Sequence, residues 1–182
     1  MVTSGRTCIP LSLRRRLAAL ATASVVLVSA ASAFATSVVK LTDQQMVRLS
    51  SVVAEGRVIE VRSGWSPDRT QIFTTVTIEV TGTLKGARPQ NGRLVVNMLG
   101  GRVGDTVMEL VGQPTFTTGE NVIVFLDAAR PQYTPITGLN QGKLTVSPDP
   151  VTGSLDVVDR GVSREEFVRG ILRIVTEQER GR

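Results

Sequence analysis

Gln71-Ile72-Phe73-Thr74-Thr75-Val76-Thr77-Ile78-Glu79-Val80 is the stretch that decides the fold. Ile72, Thr74, Val76, Ile78 and Val80 share one parity, and Gln71, Phe73, Thr75, Thr77 and Glu79 take the other. Strict alternation rich in β-branched residues is the pattern of a half-buried β-strand. Upstream, Val52 to Arg62 reads as another strand. Its parity breaks once, with Ala54, Gly56 and Val58 on one side and Ile59 and Val61 on the other. A parity switch beside a glycine predicts a β-bulge. Downstream, Arg93 to Leu99 is a third strand. Asn121 to Leu126 is a near-continuous apolar run, as expected of a central strand covered on both faces.

Shorter strands are expected at Val107–Val111, Tyr133–Ile136, Lys143–Ser147 and Leu155–Val158. Between them lie turn-forming segments. These are Ser63-Gly64-Trp65-Ser66-Pro67-Asp68, Lys85-Gly86 through Asn91-Gly92, a flexible loop at Gly100–Gly104, Thr118-Gly119, and Asp149–Gly153. Two helices flank the strands. Thr42 and Gln45 form a capping box with Leu41 and Met46 at the staple positions, so a short helix should run to Leu49. Ser163 and Glu166 repeat the box, with Val162 and Phe167 as staple, and predict a helix over 163–179. Phe167, Ile171, Ile174 and Val175 give it one apolar face, broadened by Val168 and Leu172, which should cover a barrel opening. The expected fold is mainly β: a small OB-like Greek-key barrel of six to eight short strands, with a short N-terminal helix and an amphipathic C-terminal one.

The first 35 residues read as a cleavable export signal. Arg6 and Arg14-Arg15-Arg16 precede an uncharged stretch from Leu17 that ends in Ala31-Ser32-Ala33 and Ala33-Phe34-Ala35. Cleavage is expected after Ala35, with Ala33 and Ala35 as the small residues the peptidase needs. The mature chain is then 147 residues: an N-terminal segment, 36–40, and one domain, 41–182. An ordinary secretory signal and a twin-arginine signal are both compatible with the leader. Residues 17–39 are also just long enough to be retained as an anchor. The expected location is periplasmic or extracellular, with no membrane anchor after cleavage.

Removing the leader changes what the charge means. Of 21 basic residues, four go with it, leaving 17 against 16 acids. The apparent basicity therefore gives no case for nucleic acid as partner. The one cysteine, Cys8, also lies in the leader.

Histidine is absent from the chain. Serine–histidine and cysteine–histidine catalysis are therefore excluded, and so are ordinary zinc sites of the mature domain. Ser37-Val38-Val39-Lys40 matches S-x-x-K without its companion motifs. Gly138 to Lys143 is one residue short of a phosphate loop and is followed by a strand pattern. Asp149, Asp156 and Asp159 are turn acids in the last hairpin, without the spacing of an EF-hand. Glu55, Glu60, Glu79, Glu109 and Glu120 lie on or beside strands, where two could pair only through the fold. No catalytic, cofactor or metal residue is assigned. Trp65, the only tryptophan, sits among Gly, Ser and Pro and is a candidate recognition anchor. Phe116 raises the same question but is expected to plug the core. Thr36, Ser37 and Val38 at the new N-terminus, with Gly100 and Gly101, complete the candidate partner-binding set.

As a set, several segments resemble a group of exported bacterial proteins of unassigned function. They are Gly56-Arg57-Val58, Trp65, Leu84-Lys85-Gly86, Gly100-Gly101, Gly112-Gln113-Pro114-Thr115-Phe116-Thr117-Thr118-Gly119-Glu120, Phe125-Leu126, Gly138 and Gly142-Lys143. More distantly, the order of elements is similar to netrin-like domains, including the tissue inhibitors of metalloproteinases. That likeness implies an N-terminal segment and helix ahead of an OB-type barrel. In those inhibitors a free N-terminal cysteine approaches the protease zinc, braced by disulfides; here Thr36 would begin the chain and neither feature is present.

The sequence thus predicts a non-enzymatic exported binding domain engaging another exported protein, a protease being the most concrete case. Two alternatives stand beside it: an envelope-associated protein docking through its C-terminal helix, and a carboxylate-dependent hydrolase with two acids in one cleft.

Overall fold

Helix α1 (Asp43–Leu49) opens the fold and is fixed by local chemistry. Thr42 Oγ1 accepts the Gln45 N–H at 3.2 Å and Gln45 Oε1 accepts the Thr42 N–H at 2.9 Å, completing the predicted capping box. The computed structural model describes residues 39–127 and 134–181. The leader, with Ala33, Ala35, Thr36, Ser37 and Val38, lies outside the described residues, as does Tyr133.

Seven strands form one antiparallel sheet: β1 (Val52–Trp65), β2 (Ile72–Lys85), β3 (Arg93–Leu99), β6 (Asn121–Leu126), β7 (Lys143–Pro148), β8 (Leu155–Val157) and β9 (Val162–Ser163). Between β3 and β6, β4 (Gly101–Val103) and β5 (Thr106–Met108) make a separate two-stranded hairpin. The order in the main sheet is β3-β2-β1-β6-β7-β8-β9. The chain leaves the sheet after β3 and returns on the far side of β1, which is the 4-1-2-3 order of a Greek key.

The expected closed barrel does not form among the described residues. No ladder joins β3 to β7, β8 or β9, so the sheet stays open. Gly100, at φ 101°, turns the chain off β3 into the β4–β5 hairpin rather than on to the far edge. Other expectations shift as well. Ser63, Gly64 and Trp65 belong to β1, opposite Thr74, Phe73 and Ile72, so the turn contracts towards Ser66–Thr70. The loop expected at Gly100–Gly104 contains a strand, and the strand expected over Val107–Val111 is β5, ending at Met108. Ile136 makes a single bridge to Leu126 and is not in a strand. A 3-10 turn at Leu139–Gly142 precedes β7.

The bulge forecast at Gly56 is present, with register shifts between Val53/Ala54, Glu55/Gly56 and Val58/Glu60. The extra residue between Val58 and Glu60 switches the parity, so that Val61 packs on the same core as Ala54 and Val58. Val53 packs with β6 residues Ile123 and Phe125 and with both helices, while Ala54 and Val58 join Val76, Ile78, Val122 and Val124 in a second cluster. β6 alternates between the two clusters, which explains its unbroken apolar run.

Helix α2 (Arg164–Arg180) buries Phe167, Ile171 and Val175 in the first core, against Met46 and Val47 of α1. Ser163 Oγ accepts the Glu166 N–H at 3.3 Å at its start. No helix among the described residues is long and apolar enough to cross a membrane.

Lys85, in the Leu84-Lys85-Gly86 segment, ends α1. Its ammonium donates to the carbonyls of Val47 (2.6 Å) and Ser50 (2.7 Å), groups the helix leaves unpaired. Lys85→Met keeps the aliphatic stem and should cost about 1–2 kcal/mol. A urea midpoint equal to the parent's would show that water serves those carbonyls as well.

Candidate functional site

At one end of the second core, a cavity of about 510 Å³ opens between the β4–β5 hairpin and the segment leading to Phe116. Its size is typical of ligand sites. Strand register explains the floor. Val61 and Ser63 of β1 lie opposite Val76 and Thr74 of β2, and Thr74 lies opposite Met98 of β3, so these side chains share one sheet face. Val61, Met98, Met108 and Phe116 give the cavity an apolar lining.

Gly100 and Gly101 form its wall. Thr74 Oγ1 donates to the Gly100 carbonyl at 2.6 Å and lies 2.9 Å from Ser63 Oγ. A Cβ on Gly101, at φ 140°, would run into Thr74 Oγ1 and Ser63 Oγ. Glycine is therefore what lets the hairpin lie against the sheet. Trp65 is the next residue after Val61 and Ser63 on the same strand face, at the open end of the row. It does not line the cavity, and it is 41% exposed. Behind it, Asp68 accepts hydrogen bonds from Ser66 Oγ (2.5 Å) and Thr70 Oγ1 (2.8 Å), which hold its carboxyl below the usual range and pin the turn. The structure thus brings Trp65, Gly100 and Gly101 to one end of the sheet.

Arg102 and Glu109 also line the cavity, and neither makes an ion pair among the described residues. Gln113 Oε1 is buried in the wall without a hydrogen-bond partner among the described residues. Sequence reasoning missed all three, because nothing in their local pattern marks them.

It also missed what links Gly112–Glu120 to Gly142-Lys143. Lys143 Nζ lies 2.9 Å from Glu120 Oε2, 3.2 Å from Thr145 Oγ1 and 5.6 Å from the centre of the Phe116 ring. Glu120 Oε1 accepts the Thr117 N–H at 2.8 Å. The pair is largely buried and clamps the turn that carries Phe116 to the cavity.

The other candidate acids are dispersed. Glu55 pairs with Arg164, Glu60 with Arg62 at 2.6 Å, and Glu79 stands opposite Arg93 at the surface. Of the five strand glutamates, Glu109 alone borders the cavity. Asp149 accepts the N–H groups of Val151 (2.9 Å) and Thr152 (2.6 Å), and the Thr152 bonds above all hold its carboxyl below the usual range. Asp159 accepts the Thr145 N–H at 2.7 Å and Asp156 the Ser154 hydroxyl at 3.3 Å, so each acid is used separately. No three such ligands converge for a metal among the described residues.

The chain matches no protein-family model, and no curated protein matches it at a significant level.

Proposed function

We propose that this is an exported, non-enzymatic binding domain that engages another exported protein through the cavity behind the Gly100-Gly101 turn. The observation that carries the reading is the composition of that cavity. A lining that includes Val61, Met98, Met108 and Phe116, a rim with Arg102 and Glu109 that form no ion pair among the described residues, and a buried Gln113 acceptor without a partner among them suit recognition of a side chain. Half-exposed Trp65 supplies the kind of rigid anchor that dominates many interfaces. The OB-like part of the reading is supported by α1 standing ahead of a Greek key, an order similar to netrin-like domains. On that analogy an exported protease is the partner class, with Thr36-Ser37-Val38 as a further contact.

The test is affinity capture from the native exported fraction with three baits: the parent protein, Trp65→Ala and Met108→Glu. A partner held by the parent should be retained at least about tenfold less by either variant, as expected for loss of a central anchor. Equal retention by all three would overturn the assignment of this surface. A captured protease should in addition lose binding when residues are added before Thr36.

A further inference from the structure

The two edges of the main sheet are built differently. β9 is two residues long and runs directly into α2. β3 is seven residues long, contains no proline, and carries a single charge at its first position, Arg93. Natural edge strands are usually blunted by shortness, proline, bulges or inward charges. β9 is blunted by its length, whereas β3 has none of these devices.

Antiparallel geometry fixes which backbone groups of β3 are spare. Val80 N–H donates to Gly92 O (2.8 Å) and Gly100 N–H to Ile72 O (2.6 Å). These two bonds set the phase, so the even-numbered positions between them face β2. Arg93, Val95, Asn97 and Leu99 therefore turn their N–H and C=O groups outward, and no strand among the described residues pairs with them. Val95 is 58% exposed in the middle of this row.

We propose that β3 pairs with β3 of a second copy of this chain, antiparallel about Val96. The argument is self-complementarity. Val96 is the midpoint of Arg93–Leu99, so this register engages every outward group of the strand. On the inner face, Val96 and Met98 are already buried within the chain and Leu94 is partly buried, so no charge is placed at the seam on that side. On the outer face, Val95 stands beside the partner's Asn97 and Arg93 opposite the partner's Leu99. No like charges are opposed, and every pairing except that of Val96 with itself on the axis occurs twice, as a two-fold interface requires. One strand pair buries less than the roughly 1,200 Å² of a standard interface. The dimer is accordingly weak, with a dissociation constant of about micromolar or higher. Of this strand, Met98 and Leu99 also line the cavity, whereas Val95 and Asn97 do not.

Sedimentation equilibrium of the purified protein from about 10 μM to about 1 mM spans the range in which such an interface dissociates. The average mass should climb from one chain towards two. Asn97→Pro removes an outward N–H while sparing the ladder to β2. Val95→Lys sets two ammonium groups near the two-fold axis. Both should weaken association at least tenfold, with circular dichroism spectra like the parent's. If the proline variant does not fold, Val95→Lys, at an exposed position, decides. A parent at one-chain mass throughout, or folded variants that associate as the parent does, would overturn the proposal.

Discussion

Gly56→Ala should cost about 3 kcal/mol or more of folding stability, read as a fall in the urea midpoint with little change in slope. The new methyl would strike the Glu79 carbonyl oxygen and come within 2.7 Å of Ile78 Cγ2 and 3.0 Å of the Glu79 carbonyl carbon. Two of those three atoms are backbone and cannot rotate aside. The position is also hemmed in: β1 pairs with β2 on one side and with β6 on the other, where Gly56 lies opposite Val122. Relief therefore needs movement of a strand paired on both sides. At Gly64, eight residues along the same strand, a methyl would have no atom within 4 Å. Gly64→Ala should change stability by about 0.5 kcal/mol or less. If the two substitutions cost the same, the close approach at Gly56 is not what requires glycine there.

The contrast between those glycines shows what a linear reading can and cannot recover. The unbroken apolar run delimited Asn121–Leu126, and Arg93–Leu99 stood out as a strand between two turn segments, because burial on one or two faces is written into successive residues. Thr42 with Gln45, and Ser163 with Glu166, marked helix starts because capping acts over three residues. Ser63-Gly64-Trp65 reads locally as a turn, yet it is strand because Thr74, Phe73 and Ile72 lie opposite. Gly100–Gly104 reads as a flexible loop; Gly101 instead packs on Ser63 and Thr74, a contact made across the sheet. Lys143 carries no local sign that Glu120 will be its partner, and Gln113 none that its carboxamide will be buried. The candidate set was partly legible through Trp65 and the paired glycines. Its charged and polar members depend on how the hairpin folds back, which periodicity does not encode.

The same kind of distant pairing supports the second large effect. Glu55 on β1 and Arg164 at the start of α2, 109 residues apart, form a two-pronged ion pair, with Nε–Oε1 at 2.5 Å and Nη2–Oε2 at 2.7 Å. Hydrogen bonding to Glu55 is the main reason the Arg164 guanidinium is held still more firmly in its charged form. The partners are unequally buried, the carboxylate side chain at 8% exposure and the arginine at 30%. Removing one charge from a buried pair strands the other, and the cost depends on how much water the stranded group retains. Arg164→Met should therefore be the worse change, about 3–4 kcal/mol, because it leaves a carboxylate between β1 and α2 without its cation. Glu55→Met should cost about 1–2 kcal/mol, since Arg164 can still reach solvent. The double variant should be more stable than Arg164→Met alone, because it removes the stranded carboxylate together with its partner. Urea unfolding of the four proteins gives the coupling directly. If the two single costs simply add, the pair is not the contact that fastens α2 to β1, and the apolar face of Phe167, Ile171 and Val175 fastens it alone.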